Sequence, residues 1–363
     1  MIPKLYVACA ILGILIQFSK CFPASDQGGG GNCGGGGGNN GGIVSSITSD
    51  MYPTPRREEC VSDKYAGNII VKDPYRWMEK PVMEEIKKFY ESHNAITRPY
   101  LDKSPFRPQI EARFKELNDH PKYYGPLKYG KKYYSFQNTG LQNQDVFYVQ
   151  DSLNDEPKVF FDPNALSEDG TIALNFDTSS FSYDGLIFAY SLSQNGSDRM
   201  KVKFKHVEKG DIYKEELIEV RYTTLQWTRN NKGIFYGRFL GDNPDHESVL
   251  NQKLYYHEVG TDQSKDVLVA EFPKNPDYMI GGVNLSDCGK YLIITPSDND
   301  DHNLIYIADL EKINYEIKGK LDLIPIVTKM EAIYEFIAND DTIFTFRTNK
   351  DADNYVQINN NRH

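Results

Sequence analysis

The chain has 363 residues, of which 39% are apolar and 13% aromatic, and its formal net charge is −10. This length leaves room for two or three domains or for one large repeat fold, and the aromatic share favours β structure around an ordinary packed core. The negative charge, with no block of Lys and Arg against it, excludes nucleic acid as a partner and indicates a solvated acidic surface.

The first 24 residues have the pattern of a secretory signal peptide. Lys4 supplies the positive charge, Leu5 to Ile16 the apolar segment, and Ser19-Lys20-Cys21 small residues for cleavage. The apolar run is shorter than the roughly 20 residues of a membrane-spanning helix, so no membrane span is predicted. A buried amino-terminal helix is the alternative interpretation, which the abrupt change to Gln27-Gly28-Gly29 disfavours.

Residues 25–50 are predicted to be a glycine-rich, disordered linker. Glycine fills most of residues 28–42, and such a composition cannot form a packed core. The tract contains the Gly-x-Gly-x-x-Gly spacing, but no strand precedes it and no lysine follows it, so a phosphate-binding loop is rejected. Outside the signal, Cys33, Cys60 and Cys288 are odd in number and far apart, and they predict no disulfide framework.

Residues 51–120 are predicted to be a helical segment that opens with a turn at Asp73-Pro74. A first helix is expected from Val82 to Tyr100, ended by Arg98-Pro99. Its inward stripe, at spacings of three and four, is Ile86, Phe89, Tyr90, His93 and Ile96. His93 is interpreted as a packing residue, since no partner has metal-ligand spacing. A second helix is expected from Arg107 to Leu117, with Ile110, Phe114 and Leu117 facing inward.

The sequence pattern of residues 121–363 predicts a series of short antiparallel strands. The opening stretch predicts strands at Tyr133 to Phe136, Val146 to Gln150 and Val159 to Phe161, separated by polar turns. The pattern then recurs, and its tight turns step by 55, 48, 56 and 52 residues through Gly130, Gly185, Gly233, Gly289 and Asp341. A third strand recurs at Val146 to Gln150, Val202 to His206, Leu254 to Glu258, Leu304 to Ala308 and Tyr355 to Ile358.

Four-stranded units at this period are typical of a β-propeller, which we favour over a plain β-sandwich because a sandwich needs no constant turn position. The fifth unit stops after Ile358, so we expect a blade without its outermost strand and an unclosed ring. An open blade edge presents unpaired N–H and C=O groups, and association through that edge is therefore predicted.

The sequence shows no catalytic or metal-binding pattern. No serine stands in the Gly-x-Ser-x-Gly arrangement of an α/β-hydrolase, and His246, His257 and His302 are interpreted as surface or satisfied polar residues. The run from Asp298 to Asp301 resembles a calcium loop but has Asn and Asp where Gly and Glu are required, so neither a metal nor a cofactor is predicted. Asn195 and Asn284 begin glycosylation sequons, and Asn195 is the better candidate because it falls in a turn.

Several motifs together closely resemble prolyl oligopeptidase, a serine peptidase family of the S9 clan. They are Asp73-Pro-Tyr-Arg-Trp-Met-Glu79, Asn138-Thr-Gly-Leu-Gln-Asn-Gln144, Tyr148-Val-Gln-Asp-Ser-Leu153, and Leu254-Tyr-Tyr-His257 with Gly260-Thr-Asp-Gln-Ser264. The likeness spans residues 52–358, and the motifs occur in the family's order.

This resemblance implies a specific fold and activity. In the family the opening helices pack against an α/β-hydrolase domain, and a seven-bladed propeller over the active site admits short peptides, which are cut after proline. By similarity, Phe181 and Leu225 line the substrate cavity on its propeller side, and the Leu225 position is usually Met. Both residues could equally be blade core. The signal predicts secretion if it operates, whereas the family is usually cytoplasmic.

The chain is thus expected to be mainly β, with about five blades of an open, seven-bladed-type propeller. The last blades and the Ser–Asp–His domain are missing from this sequence, so we expect no hydrolysis by this chain alone. We therefore expect the chain to be the N-terminal and propeller portion of a serine endopeptidase that cleaves short peptides after proline. A secreted, non-catalytic propeller that binds peptides or a full-length relative is the alternative.

Overall fold

A computed structural model describes residues 47–65, 67–79, 84–210, 212–239, 250–298 and 301–361. The predicted signal peptide, most of the predicted linker and His246 lie outside these residues. Residues 52–363 form one compact unit, and the fold below is the fold of that unit.

The amino-terminal part of the unit contains a hairpin and two helices. The hairpin pairs β1 (Ser62–Tyr65) with β2 (Ile69–Lys72), and the sequence pattern did not predict it. The helices are α1 (Glu84–Asp102) and α2 (Arg107–Asn118). The predicted start of the first helix at Val82 lies outside the described residues.

Helix α1 extends further than its sequence predicts, because it runs through Pro99 to Asp102. The expected end at Arg98-Pro99 was wrong. Proline in the last turn removes one backbone donor, but the N–H groups that follow it still reach carbonyls of the preceding turn. His93 packs as expected: its ring lies 4.1 Å from the Phe89 ring, and Nδ1 lies 2.8 Å from the Phe89 carbonyl oxygen.

Helix α2 contradicts the prediction for its apolar stripe. Ile110, Phe114 and Leu117 are 54%, 58% and 54% exposed, although they were expected to face inward. The spacing does place them on one side of the helix, but no element in the described part of the chain covers that side. A periodic stripe determines which residues share a face, and only a neighbouring element can bury it.

The rest of the unit consists of antiparallel sheets whose strands follow one another in chain order. The first sheet contains β3 (Lys122–Tyr129), β4 (Lys132–Asn138), β5 (Val146–Gln150) and β6 (Lys158–Phe161). The second contains β7 (Ile172–Phe181), β8 (Ile187–Gln194), β9 (Met200–His206) and β10 (Ile212–Val220). The third contains β11 (Gln226–Trp227), β12 (Gly233–Phe239), β13 (Gln252–Glu258) and β14 (Val267–Glu271).

The fourth sheet contains β15 (Met279–Leu285), β16 (Tyr291–Ser297), β17 (Ile305–Asp309) and β18 (Ile324–Val327). The fifth has three strands in the described chain, β19 (Tyr334–Asp340), β20 (Ile343–Thr348) and β21 (Val356–Asn361). One residue pair, Val220 with Arg238, joins the second sheet to the third. The predicted series of repeating antiparallel units is confirmed, and the described residues contain three strands of the fifth.

The tight turn between the first two strands of each sheet needs a residue with positive φ. Gly130, Gly185 and Gly289 supply it with φ of 56°, 73° and 75°. In the third sheet Asn231 takes this conformation instead of Gly233, with φ of 57°. Gly233 is required for another reason, because a Cβ atom there would lie 2.1 Å from the His257 carbonyl oxygen on the next strand.

The core lies between successive sheets, in four separate apolar clusters. Between the first and second sheets it is aromatic, with Tyr134, Phe147, Phe160, Phe181, Phe188 and Tyr190. Aliphatic residues dominate between the third and fourth sheets, where Leu254, Val269, Ile280, Leu292 and Ile294 pack together. Each sheet therefore depends on its neighbours to bury its two faces, as expected for a repeat built from sheets.

Candidate functional site

Phe181, predicted to line a substrate cavity, ends the first strand of the second sheet. It is 6% exposed, and its ring stacks on Tyr129 of the first sheet with centroids 4.4 Å apart. The Phe188 ring of β8 also stacks on the Phe181 ring, with centroids 4.5 Å apart. Burial among these rings also raises the pKa of Tyr129 and of Tyr134. Within this chain Phe181 is therefore a buried member of the aromatic cluster.

Leu225, the second predicted cavity residue, lies just before β11 in the next sheet. It is also 6% exposed and packs in the cluster between the second and third sheets, beside Val202, Trp227 and Ile234. The structure thus places the two predicted residues in different clusters. Their cavity role stays a prediction.

Strand β7, which ends at Phe181, is hydrogen-bonded to strand β11, which begins directly after Leu225. Trp227 donates from Nε1 to the carbonyl oxygen of Ser180 at 3.3 Å, which connects β11 to β7 across the sheet boundary. Gln226 donates to the hydroxyl of Tyr183 at 3.0 Å. These contacts hold the first strands of the second and third sheets next to each other.

The tight turns form a continuous row of contacts, which we call the turn rim: Gly130 and residues 183–185, 229–231, 287–289 and 339–341. Gly130 and Gly185 meet so closely that a Cβ atom on Gly185 would lie 2.8 Å from the Cα of Gly130. The Asp184 amide donates to Asn231 at 3.3 Å. The repeated Asp/Asn–Gly pattern in the sequence predicts each turn. It does not predict the contacts between turns, because it does not indicate which turns lie next to each other.

Within the turn rim, the Arg229 guanidinium group lies over the Tyr183 ring. The Arg229 guanidinium carbon lies 4.0 Å from the centroid of the half-exposed Tyr183 ring, and Nη2 lies 3.4 Å from the Asp287 carboxylate. Such a pair binds carboxylates or peptide groups, but it supplies neither a nucleophile nor a general base. This pair therefore suits binding rather than covalent chemistry.

Cys288 is the one thiol on the turn rim, and it is exposed. Partial burial acts to raise its pKa, but hydrogen bonds from the Ser286 hydroxyl, the Lys290 amide and Asn339 outweigh that effect, and the pKa is lowered. Asn339 belongs to the fifth sheet, with Nδ2 4.0 Å from Sγ. The contact extends the turn rim from the fourth sheet to the fifth.

His257 is fully buried, and its interpretation as a satisfied polar residue holds for Nδ1 only, because Nε2 has no hydrogen-bond partner among the described residues. Its Nδ1 lies 2.7 Å from Asp266, and the Tyr236 hydroxyl donates to the other oxygen of that carboxylate at 2.6 Å. Burial is the first cause of the strongly raised pKa of Tyr236. Gln263 links Tyr236 to the backbone of Ile218 in the second sheet, at 2.9 and 3.1 Å. The network connects two sheets and holds no nucleophile.

The two glycosylation candidates differ in their surroundings. Asn195 is exposed in the turn between β8 and β9, with φ of 54°. Asn284 is exposed on β15, but Ser286 of its sequon is fully buried and accepts a hydrogen bond from the Tyr291 amide at 2.9 Å. Among the described residues no group of three or more His, Cys, Asp and Glu is placed to hold a metal ion. Nor does any helix in those ranges have the length and apolar character needed to cross a bilayer.

Comparison with known proteins gives consistent matches. The family model for the prolyl oligopeptidase N-terminal β-propeller domain matches residues 52–362. Prolyl oligopeptidase A of Amanita bisporigera is 33% identical over 341 residues, which cover 85% of this chain and 44% of that relative. Prolyl endopeptidase of Elizabethkingia meningoseptica is 34% identical over 318 residues, covering 86% and 43%.

A solved structure extends the likeness to the fold. Prolyl oligopeptidase B from Galerina marginata, bound to a 35mer hydrolysis and macrocyclization substrate, superposes with a TM-score of 0.73 and 27% identity. The match covers 86% of this chain and 46% of that structure. The chain thus spans less than half the length of these three relatives.

Proposed function

The chain belongs to the prolyl oligopeptidase family, and from this membership we propose that it is the N-terminal and propeller portion of a serine endopeptidase that cleaves short peptides after proline. One observation carries the proposal. The family match extends from the helical segment through all five sheets, residues 52–362. The activity itself needs a nucleophile and a base from a catalytic portion, since oriented groups of both kinds are required.

The exposed side of α2 supports a role as a docking surface for that catalytic portion. Ile110, Phe114 and Leu117 are each more than half exposed and lie on one side of the helix. A group of large apolar side chains in water is typical of an interface rather than of a free surface. We assign this side of α2 to the contact with the catalytic portion.

Phe181 and Leu225 are the proposed contacts for substrate on the propeller side. The connection of β7 to β11 through Trp227 supports this assignment, because Phe181 ends β7 and Leu225 directly precedes β11. The resemblance to a relative solved with a bound 35mer substrate supports peptides as the substrate class. The proposal requires no cofactor.

A chimera tests the proposed function. Residues 52–361 replace the corresponding part of the Elizabethkingia prolyl endopeptidase, and hydrolysis of a fluorogenic peptide after proline is measured for the chimera and for the chain alone. We expect turnover by the chimera and none by the chain alone. The control is the same chimera with alanine in place of its catalytic serine.

Two results would contradict the proposal. One is a chimera that folds, as judged by circular dichroism and a single melting transition, but does not cut. The other is turnover by the chain alone that persists through further purification. The alternative, a non-catalytic propeller that binds peptides, predicts two other results. The chimera should be inactive, and the chain immobilised on a column should retain proline-containing peptides.

A further inference from the structure

The turn between β8 and β9 is exposed along its whole length, from Gln194 to Arg199. The Ser197 amide donates to the Gln194 carbonyl oxygen at 3.0 Å. The two residues between them have positive φ, 54° at Asn195 and 72° at Gly196. These are the features of a type I′ hairpin turn, which the dipeptide Asn-Gly favours. The turn therefore holds Asn195 at its tip.

The side-chain amide of Asn195 is accessible and uncommitted. The backbone N–H of Asn195 donates to the Thr171 carbonyl oxygen at 2.8 Å, whereas no described residue forms a hydrogen bond with its side chain. A Cβ atom on Gly196 would meet no atom within 4 Å, so the space beside the amide is open. The exposed Ser197 hydroxyl accepts one hydrogen bond, from the Arg199 amide at 3.1 Å, which leaves its own proton available to donate.

The second sequon, which begins at Asn284, has a different environment. Asn284 lies in the middle of a paired strand, opposite Ile293 of β16. Ser286 is fully buried, and its hydroxyl accepts from the Tyr291 amide at 2.9 Å and lies 3.3 Å from Cys288 Sγ. This hydroxyl belongs to the tight turn of the fourth sheet, so an enzyme cannot reach it in the folded chain.

We propose that Asn195 is the acceptor of an N-linked glycan. Such an acceptor is an exposed loop asparagine with Ser or Thr two residues further on, in a chain that enters the secretory pathway. Asn195-Gly196-Ser197 meets the first condition, and residues 1–24 are predicted to meet the second. In the transfer, Nδ2 loses one proton and bonds to the anomeric carbon of an oligosaccharide carried on a lipid diphosphate. The bond from that carbon to the diphosphate breaks, and the lipid diphosphate leaves.

The glycan lies at the far end of the second sheet from the turn rim. Strand β8 begins at Ile187, two residues after Gly185 of the turn rim, and ends at Gln194. A strand of this length separates its two ends by about 26 Å. Phe181 ends β7 beside the turn rim, so a sugar on Asn195 does not cover it. The modification therefore neither rests on the proposed function nor conflicts with it.

Expression in a eukaryotic cell line tests this inference. The chain is made once with its own residues 1–24 and once with an established signal peptide in their place. The purified chain is treated with a peptide-N-glycosidase in heavy-oxygen water, and mass spectrometry reads the label at Asn195 and at Asn284. A parallel sample without the enzyme is the control, because Asn-Gly sequences also lose the side-chain amide spontaneously. We expect enzyme-dependent label at Asn195 and none at Asn284.

Four variants separate the acceptor from its surroundings. Asn195→Gln removes the acceptor amide, and Ser197→Ala removes the hydroxyl but keeps Asn195 in its turn. Ser197→Thr retains a hydroxyl at that position, and Asn284→Gln removes the amide of the other sequon. The shift in gel mobility that the glycosidase reverses should disappear in the first two variants and remain in the last two.

Two results would overturn the inference. One is the absence of label at Asn195 in the chain recovered with the established signal peptide, and the other is a mobility shift that survives Ser197→Ala. Label at Asn284 equal to that at Asn195 would overturn the choice between the two sequons. Label at Asn195 only with the replacement signal would support the acceptor and refute the predicted signal peptide. The proposed function is judged separately, by hydrolysis in the chimera.

Discussion

Two glycines on the turn rim allow the first and second sheets to approach closely, because neither has a side chain. Gly130 and Gly185 face each other from adjacent sheets, and each has positive φ. A side chain at either position would have to occupy the space of the other backbone. The constant position of these turns in the sequence therefore reflects contact between sheets as well as turn geometry.

Gly185→Ala should lower the free energy of unfolding more than Gly196→Ala. Both positions have φ near 70°, which costs an alanine about 1–2 kcal/mol. At Gly185 the added Cβ also lies 2.8 Å from the Gly130 Cα, which adds about 1–3 kcal/mol of overpacking. At Gly196 no atom lies within 4 Å. Urea unfolding of both variants measures the difference, and equal losses would show that the two turns do not press on each other.

Phe181→Leu should change substrate recognition, whereas Phe188→Leu should only reduce stability. The two rings lie 4.5 Å apart in one buried cluster, so both changes cost about 1–3 kcal/mol of folding stability. In the active chimera we expect kcat/KM to fall roughly tenfold or more for Phe181→Leu alone, if this ring contacts peptide. Equal kcat/KM values for the two variants would assign Phe181 to the core only.

At the scale of the element, α2 shows that the helical spacing of apolar residues and their burial are separate properties. Its apolar residues follow the helical spacing, yet the described chain leaves them in water. Ile86 of α1 has the same spacing signal and is 1% exposed. The two helices differ in what packs against them, not in their patterns.

Replacing Ile110, Phe114 and Leu117 together with Gln should leave the stability of the isolated chain within about 0.5 kcal/mol, because exposed side chains contribute little. The same triple change should reduce the activity of the chimera by weakening contact with the catalytic portion. Ile86→Ala is the control, and it should cost about 2–5 kcal/mol in the isolated chain. Thermal unfolding and peptide hydrolysis measure the two effects. A large loss of stability from the triple change would show that α2 is covered within this chain.

At the scale of the whole molecule, stability passes from one sheet to the next. Among the described residues, each of the second, third and fourth sheets is buried on both faces by its neighbours, whereas the fifth packs on the fourth with one face only. In such a row each unit depends on its nearest neighbours. The end of the row is then the first part to open.

Hydrogen exchange should therefore be faster in the fifth sheet than in the fourth. We expect amides of β20 and β21 to exchange well before those of β16 and β17, because fewer buried contacts must be broken to open them. Exchange followed by mass spectrometry measures this order. Equal protection in both sheets would mean that the row unfolds as one unit.

The sequence by itself determined the strands, the tight turns and the repeat, because each of these follows from local alternation and from residues that accept positive φ. It also placed the ends of most elements within a few residues, although it missed the β1–β2 hairpin and ended α1 too early at Pro99. Candidate residues such as Phe181 and Leu225 came from family resemblance, since a buried aromatic strand residue has no local signal that distinguishes substrate contact from packing.

Only the tertiary structure decided which side chains are buried and which elements lie in contact. It buried His257 with Asp266 and Tyr236, left the stripe of α2 exposed, and brought Gly130 against Gly185. Burial and close approach depend on elements far apart in the chain, and a local pattern carries no information about which element will be the neighbour.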